Sequence, residues 1–182
     1  MNLLFAFFIS FFLSEPIAVL KEFSTHKIDT VKTVSAVKTQ YLAIDAKRKI
    51  FSQYSAPAKE SGSAYFGYYE GTKLRMINAN FYTDSSKVEA DEYLNEMGSI
   101  ILVYAKNSNY ETKLSINPRT KINSMTENWF YFNNEVLIKW VRGGKVVPSG
   151  LAEFKQMGAA LRADFPKHKK QFVDFASLQK IR

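Results

Sequence analysis

The chain has 182 residues, of which 46% are apolar, 15% aromatic and 23% charged, and its formal charge at pH 7 is +8. This composition excludes wholesale disorder and fits one globular domain with a sizeable core. The absence of cysteine excludes disulfides, thiolate nucleophiles and cysteine-ligated metal centres. The positive charge favours encounter with anionic partners but does not define a function by itself.

An apolar run, LLFAFFISFFL, occupies residues 3–13. Its length of about eleven residues fits the core of a secretory signal and is short of the ~20 residues needed for a spanning helix. We therefore expect residues 1–20 to be a signal peptide and the mature chain to be periplasmic or secreted, not membrane-spanning. The alternative is an uncleaved N-terminal anchor, because Pro16 is unfavourable near a cleavage site at Ala18 and no Lys or Arg precedes the run.

The remainder, residues 21–182, is predicted to be a single α+β domain. Apolar side chains three and four residues apart predict a helix over about residues 28–54. Short aromatic and β-branched segments separated by turn sequences then predict an antiparallel meander of about six or seven strands over about residues 64–147. One strand face is the more apolar, so we expect the N-terminal helix to pack on a curved sheet. Helices are predicted at the end of the sheet over about residues 149–181, interrupted at Pro166.

Three of the predicted hairpins share one pattern of an aromatic residue, a polar turn, and Leu or Ile in the returning strand. Their sequences are YYEGTKL (68–74), YLNEMGSIIL (93–102) and YFNNEVLIKW (131–140). The unequal spacing between them excludes a solenoid repeat. We interpret them as one supersecondary arrangement used three times in one sheet.

The chain resembles a family of small exported bacterial proteins of unknown function in three stretches, KTQYLAIDAKRKIFSQYSAPAKESGSAYFGYYEGTKLRMINANFY, DEYLNEMGSIILVYAKN and ENWFYFNNEVLIKW. Members carry a helix, a Ser/Gly-rich link, a tyrosine-rich strand and a final hairpin of the type R-F-Y-F-x-N-G-x-L-I-R-W. The resemblance covers about residues 38–142 and implies export and a helix-plus-meander fold, but no catalytic residues. Asn95 stands where the family has an aromatic residue, and Glu135 where it has glycine. Because non-glycine residues rarely adopt positive φ, Glu135 counts against the tight Asn-Gly turn.

Motifs for catalysis or metal binding are scarce. His26 and His168 lie far apart in the sequence, and the chain contains no HExxH, Walker A, GxSxG or Cys/His zinc motif. We therefore predict no catalytic residues, no metal and no cofactor.

The acidic residues of one predicted strand define an alternative function. Paired carboxylates can act as general acid and base, so Glu89, Asp91 or Glu92 could hydrolyse an envelope polymer. Glu89 and Asp91 share a strand face, whereas Glu92 lies opposite. Ion pairing with Lys73 or Arg75 of the neighbouring strand is the structural explanation of the same residues.

The aromatic stretch at residues 127–140 is the best candidate for a functional surface. Its rings alternate between the two faces of a strand, so at most one pair can line a site. The ligand-binding candidates are Trp129, Tyr131, Lys139 and Trp140, because rings beside a cation suit stacking on sugars or bases. Core packing is the competing explanation, since aromatic residues in strands are usually buried.

A basic segment near the C-terminus, with Lys167, Lys169 and Lys170, could contact an anionic surface. The sequence as a whole favours an exported, non-catalytic binding or accessory module of the bacterial cell envelope, whose partner is an unknown envelope component or protein. A basic module for anionic lipid or nucleic acid is a second alternative, although an exported protein seldom meets nucleic acid and none is expected as its partner.

Overall fold

The computed structural model describes residues 29–56 and 62–178, with side chains as far as Phe172. The predicted signal peptide and His26 lie outside these ranges. The helices are α1 (Thr30–Ala46) and α2 (Ala152–Leu178), and a 3-10 turn (Arg48–Ile50) follows α1. The strands are β1 (Ser52–Ala56), β2 (Ser63–Glu70), β3 (Lys73–Tyr82), β4 (Ser86–Leu94), β5 (Ile100–Tyr110), β6 (Ile122–Asn133), β7 (Val136–Arg142) and β8 (Lys145–Val147).

The eight strands form one open sheet in chain order, and each strand is antiparallel to the next. This confirms the α+β class, with eight strands in place of the expected six or seven. The additional strands are β1 and β8, which form the two edges. Between β5 and β6 the chain forms a loop, because β5 continues to Tyr110 and β6 begins at Ile122.

The N-terminal helix is shorter than its periodicity indicated, since α1 ends at Ala46. Phe51 and Tyr54 continue the helical spacing of apolar residues but lie in extended chain. Tyr54 pairs with Gly67 of β2. Its ring packs edge-on against the ring of Tyr69, with 5.3 Å between the ring centroids. The strand pairing and this aromatic contact override a helical pattern that the local sequence supports equally well.

Both faces of the sheet are covered by a helix, whereas the sequence indicated one covered face and helices at the sheet's end. Val34, Val37 and Ile44 of α1 are buried against one face of the sheet, which contributes Met76, Tyr93, Ile101, Leu102 and Tyr131. The face under α2 carries the larger core, which includes Tyr65, Tyr69, Ile77, Leu94, Val103, Phe130, Phe132, Trp140, Phe154, Phe165 and Phe172. The molecule therefore has three layers, with the sheet in the middle.

The prediction that Pro166 divides the C-terminal helices is wrong, because α2 continues through it. Proline removes one helical hydrogen bond and disfavours the helix interior. Phe165 and Phe172, on either side, are buried against the sheet and hold the helix in place. Phe172 lies directly over Gly67, where a Cβ atom would come within 2.6 Å of the phenyl ring.

The three similar hairpins differ in turn length but share one bulge. In each hairpin the second strand has one extra residue that has no partner in the first strand. It follows directly after Leu74, Ile100 or Leu137. The extra residues are Arg75, Ile101 and Ile138. A bulge of this kind increases the local twist and redirects the side chains that follow it.

A two-residue turn joins Asn133 to Val136, although Glu135 stands where the similar family has glycine. Both of its central residues have positive φ, 47° at Asn134 and 64° at Glu135. This turn geometry matches the right-handed twist of the flanking strands, which explains why the hairpin adopts it. Glu135 therefore occupies a backbone conformation that favours glycine.

We predict that Glu135→Gly stabilises the fold by about 0.5–1 kcal/mol. Glycine removes the cost of the left-handed conformation, and the larger entropy of its unfolded state offsets only part of that gain. Urea unfolding at equilibrium measures the change. Glu135→Ala is the matched control, since it removes the same carboxylate but keeps Cβ, and it should leave the stability nearly unchanged. Equal stabilities of the two variants would contradict the assignment of strain to this turn.

Candidate functional site

The residues that contact α1 most closely form one row across four strands, made of Met76, Tyr93, Leu102 and Tyr131. The next two rows on the same face are mostly polar. They are Asn78, Asp91, Tyr104 and Trp129, then Asn80, Glu89, Lys106 and Glu127. We call these eight residues the polar platform. Six of them are only half-buried, and Glu127 is exposed, so the platform faces solvent beside α1.

An aromatic pair forms the centre of the platform. The rings of Tyr104 and Trp129 lie 4.4 Å apart, centroid to centroid, and Tyr41 of α1 lies 5.8 Å from Trp129. The Tyr104 hydroxyl donates to Glu127 Oε1 at 2.9 Å. Burial, together with this hydrogen bond, raises the pKa of Tyr104 to about 12. The hydroxyl therefore stays protonated near neutral pH and keeps the ring in a fixed position.

A network of hydrogen bonds fixes the polar side chains on the other side of this pair. Arg48, in the turn after α1, binds both Asp91 oxygens at 3.1 and 3.4 Å. Asn78 donates to Asp91 Oδ1 at 2.7 Å, and Asn80 donates to Asn78 Oδ1 at 2.6 Å. The Arg48 guanidinium also lies 5.0 Å from the Tyr68 ring centroid. Asp91 is thus a preorganised acceptor at the end of α1.

Glu89 is paired with two lysines of the same surface. Its Oε1 accepts from Lys87 at 2.8 Å, and its Oε2 lies 3.2 Å from Lys106 Nζ. Burial acts to raise the pKa of Glu89, but the hydrogen bonds from the two lysines outweigh it and lower that pKa. The predicted partners Lys73 and Arg75 instead pair with acidic residues of the hairpin turns.

Glu92 lies on the opposite face, under α2, and is 4% exposed. Its Oε1 is 2.7 Å from His168 Nδ1, and the imidazole packs near the rings of Tyr65 and Phe81 at 5.2 and 6.0 Å. Burial alone would lower the pKa of His168, but the charge and hydrogen bond of Glu92 raise it. The pair ties α2 to the sheet. Because the sheet separates Glu92 from the platform, the three carboxylates of β4 do not converge.

The predicted aromatic candidates divide between the two faces. Trp129, Tyr131 and Lys139 lie on the face of α1, with Lys139 Nζ 6.0 Å from the Tyr131 ring centroid. Tyr131 is only 5% exposed. Trp140 lies under α2, 3% exposed, and its indole N–H donates to Asn128 Oδ1 at 2.9 Å. The structure therefore brings three of the four to one face, and Trp129 is the more accessible of the rings there.

Sequence reasoning missed Tyr104, Asn78 and Arg48 as members of this surface. Period-two alternation places Tyr104 on a strand face, but only the register of β4, β5 and β6 places it between Asp91 and Trp129. Arg48 belonged to the predicted helix, so no signal connected it with a strand.

The three lysines of the basic segment have separate environments. Lys167 pairs with Asp164 at 2.8 Å, whereas Lys169 Nζ donates to the Gly98 carbonyl at 2.6 Å. Lys170 is exposed. Two of the three thus have contacts within the fold, and an anionic partner for this segment stays a prediction.

Comparison of the chain with protein-family models, curated proteins and solved structures found no match. No helix in the two described ranges combines the length and the apolar character needed to cross a membrane. The described side chains also include no group of three His, Asp or Glu that could hold a metal ion. The candidate site therefore rests on the geometry of the polar platform.

We expect the stability that His168 contributes to decrease as pH rises. Its folded-state pKa is above the ordinary value, so the contribution is complete below the unfolded-state pKa and is lost as pH passes through the folded-state pKa. Urea unfolding of the wild type and His168→Gln at pH values between about 5 and 9 measures it. His26 is present in both proteins and cancels. A stability difference that is constant or grows with pH would contradict the pairing.

Proposed function

We propose that this chain is an exported, non-catalytic binding module of the bacterial cell envelope, and that the polar platform binds a glycan chain. The observation that carries the proposal is the half-buried ring pair of Tyr104 and Trp129, flanked by oriented polar groups. An aromatic face packs against the C–H face of a sugar ring, while neighbouring carboxylates and amides bind its hydroxyl groups.

The polar groups beside the rings are held before any ligand arrives. Asp91 is fixed by Arg48 and Asn78, and Glu127 is fixed by the Tyr104 hydroxyl. Side chains already ordered in this way lose less conformational entropy when they bind. This preorganisation supports a recognition role for the surface.

The charges of the platform favour a neutral, polyhydroxylated ligand over a strongly ionic one. Asp91 is balanced by Arg48, and Glu89 by Lys87 and Lys106. Because these charges neutralise one another at short range, the surface offers no excess of one sign to an anionic lipid or nucleic acid. This observation favours the glycan module over the basic-module alternative.

Export is supported by the apolar N-terminal run and by the resemblance to small exported proteins. For the hydrolase alternative we find no supporting arrangement within the described residues. Glu89 and Asp91 are each held in ion pairs, and Glu92 faces the other side of the sheet. A general acid would need a carboxyl with a raised pKa beside a second one, whereas the pKa of Glu89 is lowered.

We predict that the purified protein co-sediments with envelope glycans and that Tyr104→Ala and Trp129→Ala each weaken this binding by about tenfold or more, since a stacking ring contributes about 1–3 kcal/mol. The probes are purified peptidoglycan sacculi, lipopolysaccharide and capsular polysaccharide. Tyr104→Phe keeps the ring and should retain most of the binding. Val136→Ala, which removes an exposed apolar side chain at the turn end of β7, away from the platform, should bind as the wild type does.

Urea unfolding of each variant confirms that it is folded before its binding is compared. Absence of wild-type binding to all three probes would contradict the proposal, as would equal binding by Trp129→Ala and Val136→Ala. Loss of wild-type binding in about 0.5 M salt would indicate ionic attraction in place of stacking.

A further inference from the structure

A cavity of about 440 Å³ lies at the margin of α1, bordered by the turns of the β2–β3 and β4–β5 hairpins. Its apolar wall includes Ile44 and Phe51, and its charged wall includes Lys47, Glu70, Arg75 and Glu96. Volumes of this size are typical of small-molecule sites that combine an apolar lining with a few polar groups. The cavity shares no residue with the polar platform.

Arg75 is the unusual residue of this cavity. It occupies the bulge position of the first hairpin, where the two other hairpins have Ile101 and Ile138. Its side chain is nevertheless only 10% exposed. Placing a guanidinium out of water is costly, and an isoleucine at this position is compatible with the same hairpin geometry. A residue that departs from a local pattern at such a cost marks a functional position.

The Arg75 guanidinium is incompletely satisfied. Its Nη1 is hydrogen-bonded to Glu96 Oε1. Its Nε is buried and has no hydrogen-bond partner in the described structure, and the nearest carboxylate oxygen, Glu70 Oε2, is 3.8 Å away. That separation is too long for a hydrogen bond. One donor of the planar fork therefore lacks an acceptor, in a side chain that lines the cavity.

The two carboxylates around Arg75 lie at the surface. The side chains of Glu96 and Glu70 are 64% and 39% exposed. Moving Glu96 into water costs that carboxylate little, but Arg75 is buried, so another carboxylate has to take its place. A ligand can therefore take the place of Glu96 on Arg75 without disturbing the core.

We propose that this cavity binds a zwitterionic ligand, a free α-amino acid or a dipeptide. The lining has two cations, Lys47 and Arg75, and two anions, Glu70 and Glu96. A ligand with a carboxylate alone that displaced Glu96 would leave Glu96 with only its exposed partner Lys73. A zwitterion supplies both charges, because its carboxylate can accept from Nε and the adjacent Nη2 of Arg75 while its ammonium donates to Glu96. An apolar ligand side chain then contacts Ile44 and Phe51.

Isothermal titration calorimetry with three matched compounds tests the charge requirement. Leucine carries both charges, N-acetyl-leucine keeps the carboxylate alone, and leucinamide keeps the ammonium alone. We expect leucine or the dipeptide alanyl-leucine to bind. Each single-charge analogue of leucine should bind at least about tenfold more weakly, because each lacks one charged hydrogen-bond partner.

Two variants then locate the site. Arg75→Ile makes the first hairpin match the other two, so it should fold normally and lose the binding. Lys73→Met is the control, because Lys73 pairs with the same Glu96 at 3.0 Å but is 62% exposed and does not line the cavity. It should bind within about threefold of the wild type. Both variants should keep any glycan binding by the platform, which separates this proposal from the proposed function.

The proposal is overturned if neither zwitterion binds the wild type at up to about 10 mM. It is also overturned if Arg75→Ile binds as the wild type does, or if N-acetyl-leucine or leucinamide binds as tightly as leucine. A folded Arg75→Ile variant that has lost binding, beside a Lys73→Met variant that retains it, supports the proposal.

Discussion

The sheet is apolar on both faces near the turns of the three similar hairpins. The rest of the structure depends on removing both of these faces from water. Met76 and Ile77 are neighbours in β3, point to opposite sides and are both fully buried. The same is true of Tyr131 and Phe132 in β6, which are 5% and 1% exposed. Burial of each such side chain is worth about 1.5–3 kcal/mol. No single helix can cover both sides, so the chain places one before the meander and one after it.

The two helices differ in length, and this difference creates the candidate sites. α2 has 27 residues and crosses the sheet from β7, where Gly158 lies against Leu137, to β2, where Phe172 lies over Gly67. α1 has 17 residues and covers one row of its face. On one side of α1, the part of the sheet that the helix does not cover carries the polar side chains of the platform. On the other side, the gap between α1 and the hairpin turns forms the cavity at Arg75.

The sequence contains enough local information for the fold class and for the position of most turns. Alternating strands and Asn- or Gly-containing turns predict a meander directly, because each signal lies within a few residues. Two errors came from local signals that contacts distant in sequence override. Tyr54 belongs to a strand because it pairs with Gly67 and packs on Tyr69, and Pro166 lies inside a helix because Phe165 and Phe172 hold that helix to the sheet.

The candidate site was harder to predict, because its members meet through register and not through spacing. Asp91, Tyr104 and Trp129 form one row only after three strands have paired in a particular register. The contact between Glu92 and His168 joins residues 76 positions apart, from a strand and a helix. Arg75 is a different case, since comparison of the three similar hairpins already shows a charged residue where the two others have isoleucine.

The proposed role of the platform depends on Trp129 being partly exposed beside α1, whereas Trp140 is buried beneath α2. These are the only two tryptophans in the chain, so Trp140→Phe and Trp129→Phe each leave a single fluorescent reporter. Acrylamide quenching of the two folded variants compares the accessibility of the rings directly. We predict stronger quenching of Trp129, which is half-buried, than of Trp140, which is 3% exposed. Equal quenching, or stronger quenching of Trp140, would contradict it.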